Sequence, residues 1–303
     1  MSFNDDVRLD TSQVESGGSG GAPGGMVVGG GIGGIIMLII ALIFGINPSD
    51  LPTGGGGGGT SDQQVDGTTS SGTEFDKCKT GADANADAQC RVIGTVNSVQ
   101  AFWTAELPRY QKQWQPTKTR LYTGSTQSQC GTASNQVGPF YCPLDQKVYI
   151  DADFFDILTE QFGSDDGALA QEYVVAHEYG HALQDQLGLL NRAQQDPQGP
   201  NSGGVRIELM ADCLAGVWAK HASSTNGPDG KPYLKELTEA DIKSALSAAS
   251  AVGDDRIQEK TQGQVNPESW THGSAEARQR WFLQGYTKGD LNQCNTFNVD
   301  TVS

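Results

Sequence analysis

Residues 168–187 read ALAQEYVVAHEYGHALQDQL, and this stretch decides the fold. It contains no proline and is far longer than an ordinary strand. Tyr173, Val174, Val175 and Ala176 precede a short polar group, and Ala182, Leu183 and Leu187 follow it, so the stretch predicts one long buried helix. The polar group is His177-Glu178-Tyr179-Gly180-His181, an H-E-x-x-H sequence. Histidines four apart lie one turn apart on the same helical face, where both imidazoles can reach one tetrahedral Zn²⁺. Glu178 sits at the edge of that face, placed to take a proton from a metal-activated water and pass it on. Two histidines and a carboxylate are costly to bury unless they are paired or hold a metal.

A catalytic zinc site needs a third protein ligand and an open position. Glu208 and Asp212, four apart in RIELMAD (206–212), share a face of a second helix expected from about Val205 to His221. Glu208 can ligate while Asp212 accepts the N–H of a ligand histidine and fixes its tautomer. His272 and Cys213 are the other candidates, although Cys213 points away from the Glu208 face. The small residues Ala211, Ala215, Gly216 and Ala219 let this helix lie close to the first.

Around these two helices, apolar residues from Val92 to Leu107 recur at helical steps up to Pro108. Arg120–Tyr122 and Lys147–Ile150 read as strands, with Cys130–Cys142 as a loop between them. Thr238 and Asp241 form a capping-box signal for a helix to about Val252, and a last helix runs from about Ser274 to Tyr286. The fold class expected is α+β, mostly helical with a small β-sheet.

The N-terminal quarter differs in character. Residues 1–25 are polar and predict a disordered cytoplasmic tail. Residues 26–46, MVVGGGIGGIIMLIIALIFGI, carry no charge and as a helix would extend about 31 Å, enough for one transmembrane span. Residues 47–75 are a Gly/Ser-rich tether, leaving 76–303 as one domain. All six cysteines follow the apolar block, which predicts an oxidising, extracytoplasmic location at the cell membrane. We expect the pairs 78/90, 130/142 and 213/294, with two buried free thiols as the alternative for the last. A net charge of −16 with no basic cluster excludes the electrostatic footprint of a nucleic-acid binder.

Five blocks together carry a resemblance: GPFYCPLDQKVYID (138–151), AHEYGHALQ (176–184), ELMADCLAGVWA (208–219), GDDRIQ (253–258) and THGSAEARQRWF (271–282). They are similar to the neutral zinc metallopeptidase family of bacterial single-pass membrane proteins, over roughly residues 90–297. The resemblance implies a zincin-like domain, a Zn²⁺ cofactor held by His177, His181 and Glu208, and a protein or peptide substrate. It also implies a substrate-binding edge strand ahead of the zinc helix, for which Lys147–Ile150 is the candidate. Tyr179 departs from the small aliphatic residue more usual in the family and points off the ligand face.

The mechanism expected is peptide hydrolysis with Glu178 as base and then acid. His272, in a Gly-containing loop, is either an oxyanion donor or a structural residue capping the next helix. His221, at a helix C-terminus, suits the dipole and needs no catalytic role. Two alternatives stand beside this reading: a non-catalytic, membrane-tethered module in which zinc only holds helices together, and a zinc amidase acting on cell-wall peptides.

Overall fold

The computed structural model describes residues 3–17, 75–135 and 137–303. Along the chain it holds β1 (Val14–Gly17), α1 (Gly81–Ala86), α2 (Ala88–Glu106), β2 (Lys118–Tyr122), β3 (Ser125–Ser128), β4 (Gly131–Ser134), β5 (Phe140–Cys142) and β6 (Lys147–Asp151). Then follow α3 (Phe154–Glu160), α4 (Ala168–Gln186), α5 (Asn191–Gln195), α6 (Gly203–His221), α7 (Glu239–Ala251), α8 (Asp254–Gln262) and α9 (Ala275–Lys288). The α+β, mostly helical expectation holds.

The helix ends follow local chemistry. Asp87 caps α2 by accepting from the Cys90 N–H at 3.1 Å, so that helix starts one turn before the first periodic apolar residue. Ser202 and Ser274 cap α6 and α9 in the same way. At α7 the expected capping box is present, with Asp241 accepting from the Thr238 N–H at 2.8 Å. Helices α1, α3, α5 and α8 were not anticipated, α5 falling where a polar loop is expected. In α8, DDRIQEKTQ, the one aliphatic residue is Ile257, too little for a readable period.

Helix α6 is central, packed between α4 and α9. Its small face was expected to meet α4 as a whole, but only part of it does. Ala211 meets Gly180 of α4, where an added Cβ would come within 3.2 Å of the Ala211 side chain, so glycine sets the close crossing. Gly216 instead lies against Phe282 and Tyr286 of α9.

The main sheet has the order β1-β2-β6-β5, parallel except for the antiparallel β5–β6 pair. One face, with Leu121, Tyr141, Val148 and Ile150, joins the helical core. The other, with Tyr122, Phe140 and Tyr149, is covered by the β3–β4 hairpin region through Ala133 and Val137. This topology corrects the choice of edge strand. Lys147–Ile150 lies in β6, which is paired on both sides, whereas β5 is the edge on that flank. Period-2 patterning shows which residues face the core, not which strands lie alongside.

All three expected disulfides are present, and Cys213 is thereby removed as a metal ligand. A second correction concerns the N-terminus. The disordered tail expected over residues 1–25 does not hold for residues 3–17, where Phe3 and Val7 are fully buried and β1 is hydrogen-bonded to β2. The span at 26–46 lies outside the described residues, among which no helix is long and apolar enough to cross a membrane.

Candidate metal centre

Helix α4 presents His177 and His181 on one face, and α6 brings Glu208 up to them. One ligand atom from each residue lies within 4.8 Å of the others. The His177 Nε2 is 3.1 Å from the His181 Nε2 and 3.2 Å from Glu208 Oε2, and the His181 Nε2 is 3.4 Å from Glu208 Oε1. All three side chains are buried.

The outer nitrogens decide what these contacts mean. His177 Nδ1 donates to Asp212 Oδ1 at 2.8 Å, and His181 Nδ1 donates to Gln184 Oε1 at 2.8 Å. With both protons on Nδ1, each neutral ring turns a lone pair inward, towards the other ring and towards a carboxylate. Three acceptors converging at this range are satisfied by a positive charge between them, either a metal ion or, in the metal-free chain, a proton on His177. Tetrahedral zinc with ligands at 2.0–2.1 Å sets ligand atoms about 3.3 Å apart, which matches the spacing found, so the residues fit the metal.

The surrounding charges are consistent with that role. Burial alone would raise Glu208, but His181, His272 and the hydrogen bonds from both ligand histidines hold it well below the usual carboxylate range. Burial opposes charge on His177 too, yet Asp212 and Glu208 hold it up at about 9 in the metal-free chain. Glu178 behaves differently. Its carboxyl is pushed above its ordinary value by burial, which outweighs the neighbouring His181 and His177, and its Oε2 has no hydrogen-bond partner among the described residues.

Asp212 sits behind His177 as expected, in a richer network than the sequence revealed. Arg278 of α9 donates to both of its oxygens at 2.9 Å, and the Tyr173 hydroxyl of α4 donates to Oδ1. Burial opposes ionisation of Asp212, but Arg278 and His177 prevail and hold it at about 2. Gln184 completes the frame by donating to the Ile207 carbonyl at 2.7 Å, which locks α4 to α6.

His272 is not among the clustered ligand atoms. Its loop is gathered by Asp254, whose Oδ2 accepts from the N–H groups of Thr271, His272 and Gly273 at 2.7, 2.7 and 2.9 Å. The His272 Nδ1 faces Thr271 Oγ1 and Asp254, and its Nε2 makes no hydrogen bond among the described residues. His221 bonds the Gly289 carbonyl at 3.0 Å and stacks on Phe102, in keeping with a structural role. Tyr179 does point away from the ligands, with its hydroxyl donating to the Thr117 carbonyl at 3.0 Å and lying 2.9 Å from Thr119 Oγ1.

Sequence comparison agrees with this geometry. Residues 4–297 match the family described as "Putative neutral zinc metallopeptidase". The chain belongs to that family. Among similar members, the uncharacterized proteins Rv2575 of Mycobacterium tuberculosis and Mb2605 of Mycobacterium bovis are each 51% identical over 302 residues, covering 99% of both chains. The uncharacterized protein YpfJ of Escherichia coli is 42% identical over 200 residues, covering 64% of this chain and 66% of its own. No solved structure matches.

Arg278 and Asp254, with Tyr173 and Gln184, are the members of this candidate metal site that sequence reasoning missed, and the first two are the more informative. Both lie in blocks that carry the family resemblance, GDDRIQ and THGSAEARQRWF, and that was the one available signal.

Proposed function

We propose that the protein is a zinc-dependent endopeptidase. One observation carries the reading: three inward-facing acceptors, His177 Nε2, His181 Nε2 and Glu208, converge beside a buried Glu178 whose Oε2 has no hydrogen-bond partner among the described residues. A site meant only to hold helices together has no use for a base and commonly fills its fourth position with protein. When bound, zinc would polarise the scissile carbonyl and lower the pKa of a water towards 7.

Glu178 would serve as the base that takes a proton from the attacking water and as the acid that returns it to the leaving amine. Its raised pKa suits both halves of the task, because a carboxyl closer to neutrality gives the proton back more readily. Asp212, held by Arg278, keeps the His177 proton on Nδ1 and the lone pair inward. Tyr141 of β5 donates to Asp185 of α4 at 2.8 Å, so the edge strand and the zinc helix move as one unit. The three disulfides support an oxidising compartment outside the cytoplasm, and the apolar residues 26–46 support attachment to the cell membrane.

The decisive test is Glu178→Gln, assayed for zinc content and for cleavage of an unfolded protein. Full zinc with hydrolysis abolished is expected. Retained cleavage would remove Glu178 from the mechanism, and full zinc without cleavage in the unaltered protein would favour a binding module.

A further inference from the structure

Residues 3–17 do not merely touch the domain; the domain is built to receive them. The Asn85 amide of α1 reads the backbone of Phe3 on both sides, accepting from its N–H at 2.8 Å and donating to its carbonyl at 3.0 Å. Asn97 of α2 does the same at Asp10, accepting at 2.8 Å and donating at 2.9 Å. Between them, the Leu9 N–H donates to the Lys79 carbonyl and the Val7 carbonyl accepts from the Gly81 N–H, both at 2.9 Å. The Phe3 ring lies over Gly94, where any Cβ would come within 2.7 Å of it, so the groove depends on glycine at that point.

Downstream, β1 runs in parallel register with β2, Val14 opposite Thr119 and Glu15 opposite Arg120. Lys147 of β6 reaches over to Glu15 at 2.7 Å. The segment therefore covers what would otherwise be an open edge of the sheet. It also connects to the zinc helix. Gln13 accepts from buried Gln100, Gln100 accepts from the Thr117 N–H, and the Thr117 carbonyl accepts from Tyr179.

This docking bears on topology. Residues 3–17 and 75–303 flank the apolar residues 26–46. A single crossing would set roughly 30 Å of hydrocarbon between the two parts, whereas docking needs direct contact. The two arrangements exclude each other. We infer that residues 3–17 and the domain 75–303 lie on the same side of the membrane, and that residues 3–17 are a fixed strand and plug of the domain rather than a tail across the bilayer. The family match beginning at residue 4 agrees with the segment being part of the domain. Nothing in this inference requires the site to hydrolyse peptides.

Full-length protein in intact cells tests it in two ways. Ser12→Cys and Val265→Cys each place a thiol at an exposed position, one on the segment and one on the domain. A membrane-impermeant maleimide should label both, or neither until the cells are opened. Labelling of one alone in intact cells overturns the inference. In parallel, Glu15→Cys/Arg120→Cys, at directly opposed positions of β1 and β2, should form a cross-link within one chain, seen as a faster band on a non-reducing gel and lost on reduction. Same-side labelling without that cross-link, or a cross-link only between chains, overturns the docking. If the double variant fails to fold, the two labelling variants still decide the sidedness.

Discussion

Arg278 holds Asp212 by both carboxylate oxygens, Nε to Oδ2 and Nη2 to Oδ1, at 2.9 Å each. Because Asp212 in turn receives the His177 Nδ1 proton, an arginine on α9 sets the tautomer of a candidate metal ligand on α4. All three groups are buried, so the network works without solvent screening.

The first prediction follows from that pair. Arg278→Met should leave Asp212 as a buried charge short of its main partner, and losing one member of a buried pair costs about 3–5 kcal/mol. Zinc affinity should also fall by about 10–100-fold, as for loss of other groups that orient metal ligands. Chelator competition measures the affinity and urea unfolding the stability. Unchanged zinc affinity in a folded Arg278→Met would show that α9 has no hold on the metal site.

A second prediction concerns pH. In the metal-free chain His177 sits at about 9, above its ordinary 6.5. A raised pKa contributes stability that is fully present below 6.5 and is lost as pH rises through 9. Zinc has to displace that proton. Its affinity should therefore rise by about tenfold per pH unit across this window, and the gap in Tm between loaded and chelated protein should widen with it. Competition titrations at several pH values check this, and a flat profile would contradict it.

Much of the site was legible in sequence because helical periodicity alone puts His177 beside His181, and Glu208 beside Asp212, on shared faces. Which helices those faces meet is a tertiary fact. Arg278 looked like one more charged residue in RQRWF, since a buried and a solvated arginine read alike until the facing carboxylate is known. Residues 3–17 misled in the opposite sense. Their Asp, Ser and Gln content resembles disorder, and what orders them is a pair of asparagines, Asn85 and Asn97, roughly 80 residues or more away. Strand β6 read correctly as a strand but was misplaced at an edge, because pairing partners leave no mark in a five-residue pattern.

The disulfides give a third prediction. Cys213–Cys294 closes a separation of 81 residues, while the other two close 12 each. In the chain-entropy view the long loop contributes about 4.5 kcal/mol and each short one about 3. Cys213→Ala/Cys294→Ala should accordingly lower the urea midpoint more than Cys130→Ala/Cys142→Ala. Cys213 also fastens α6, the helix that bears Glu208, so the first pair should weaken zinc retention under mild denaturant and the second should not. Equal effects from both pairs on stability and zinc would refute the assignment.

His272 supplies the last. Asp254 holds its loop by three backbone N–H groups, and the imidazole Nε2 has no hydrogen-bond partner among the described residues, while the charge of Glu208 and the contact with Asp254 raise its pKa against the effect of burial. For the proposed hydrolysis, a histidine fixed in this way and acted on by the charge of Glu208 would be the donor to the oxyanion of the tetrahedral intermediate. Removing such a donor costs about 10²–10³ in kcat. His272→Ala should therefore lower kcat by that factor with KM and bound zinc little changed. Asp254→Ala should do more, because three buried N–H groups lose their acceptor at about 1–3 kcal/mol apiece and the loop loses its anchor. Loss of zinc in His272→Ala would instead make it a ligand, and unchanged kcat would leave it a structural residue of the loop.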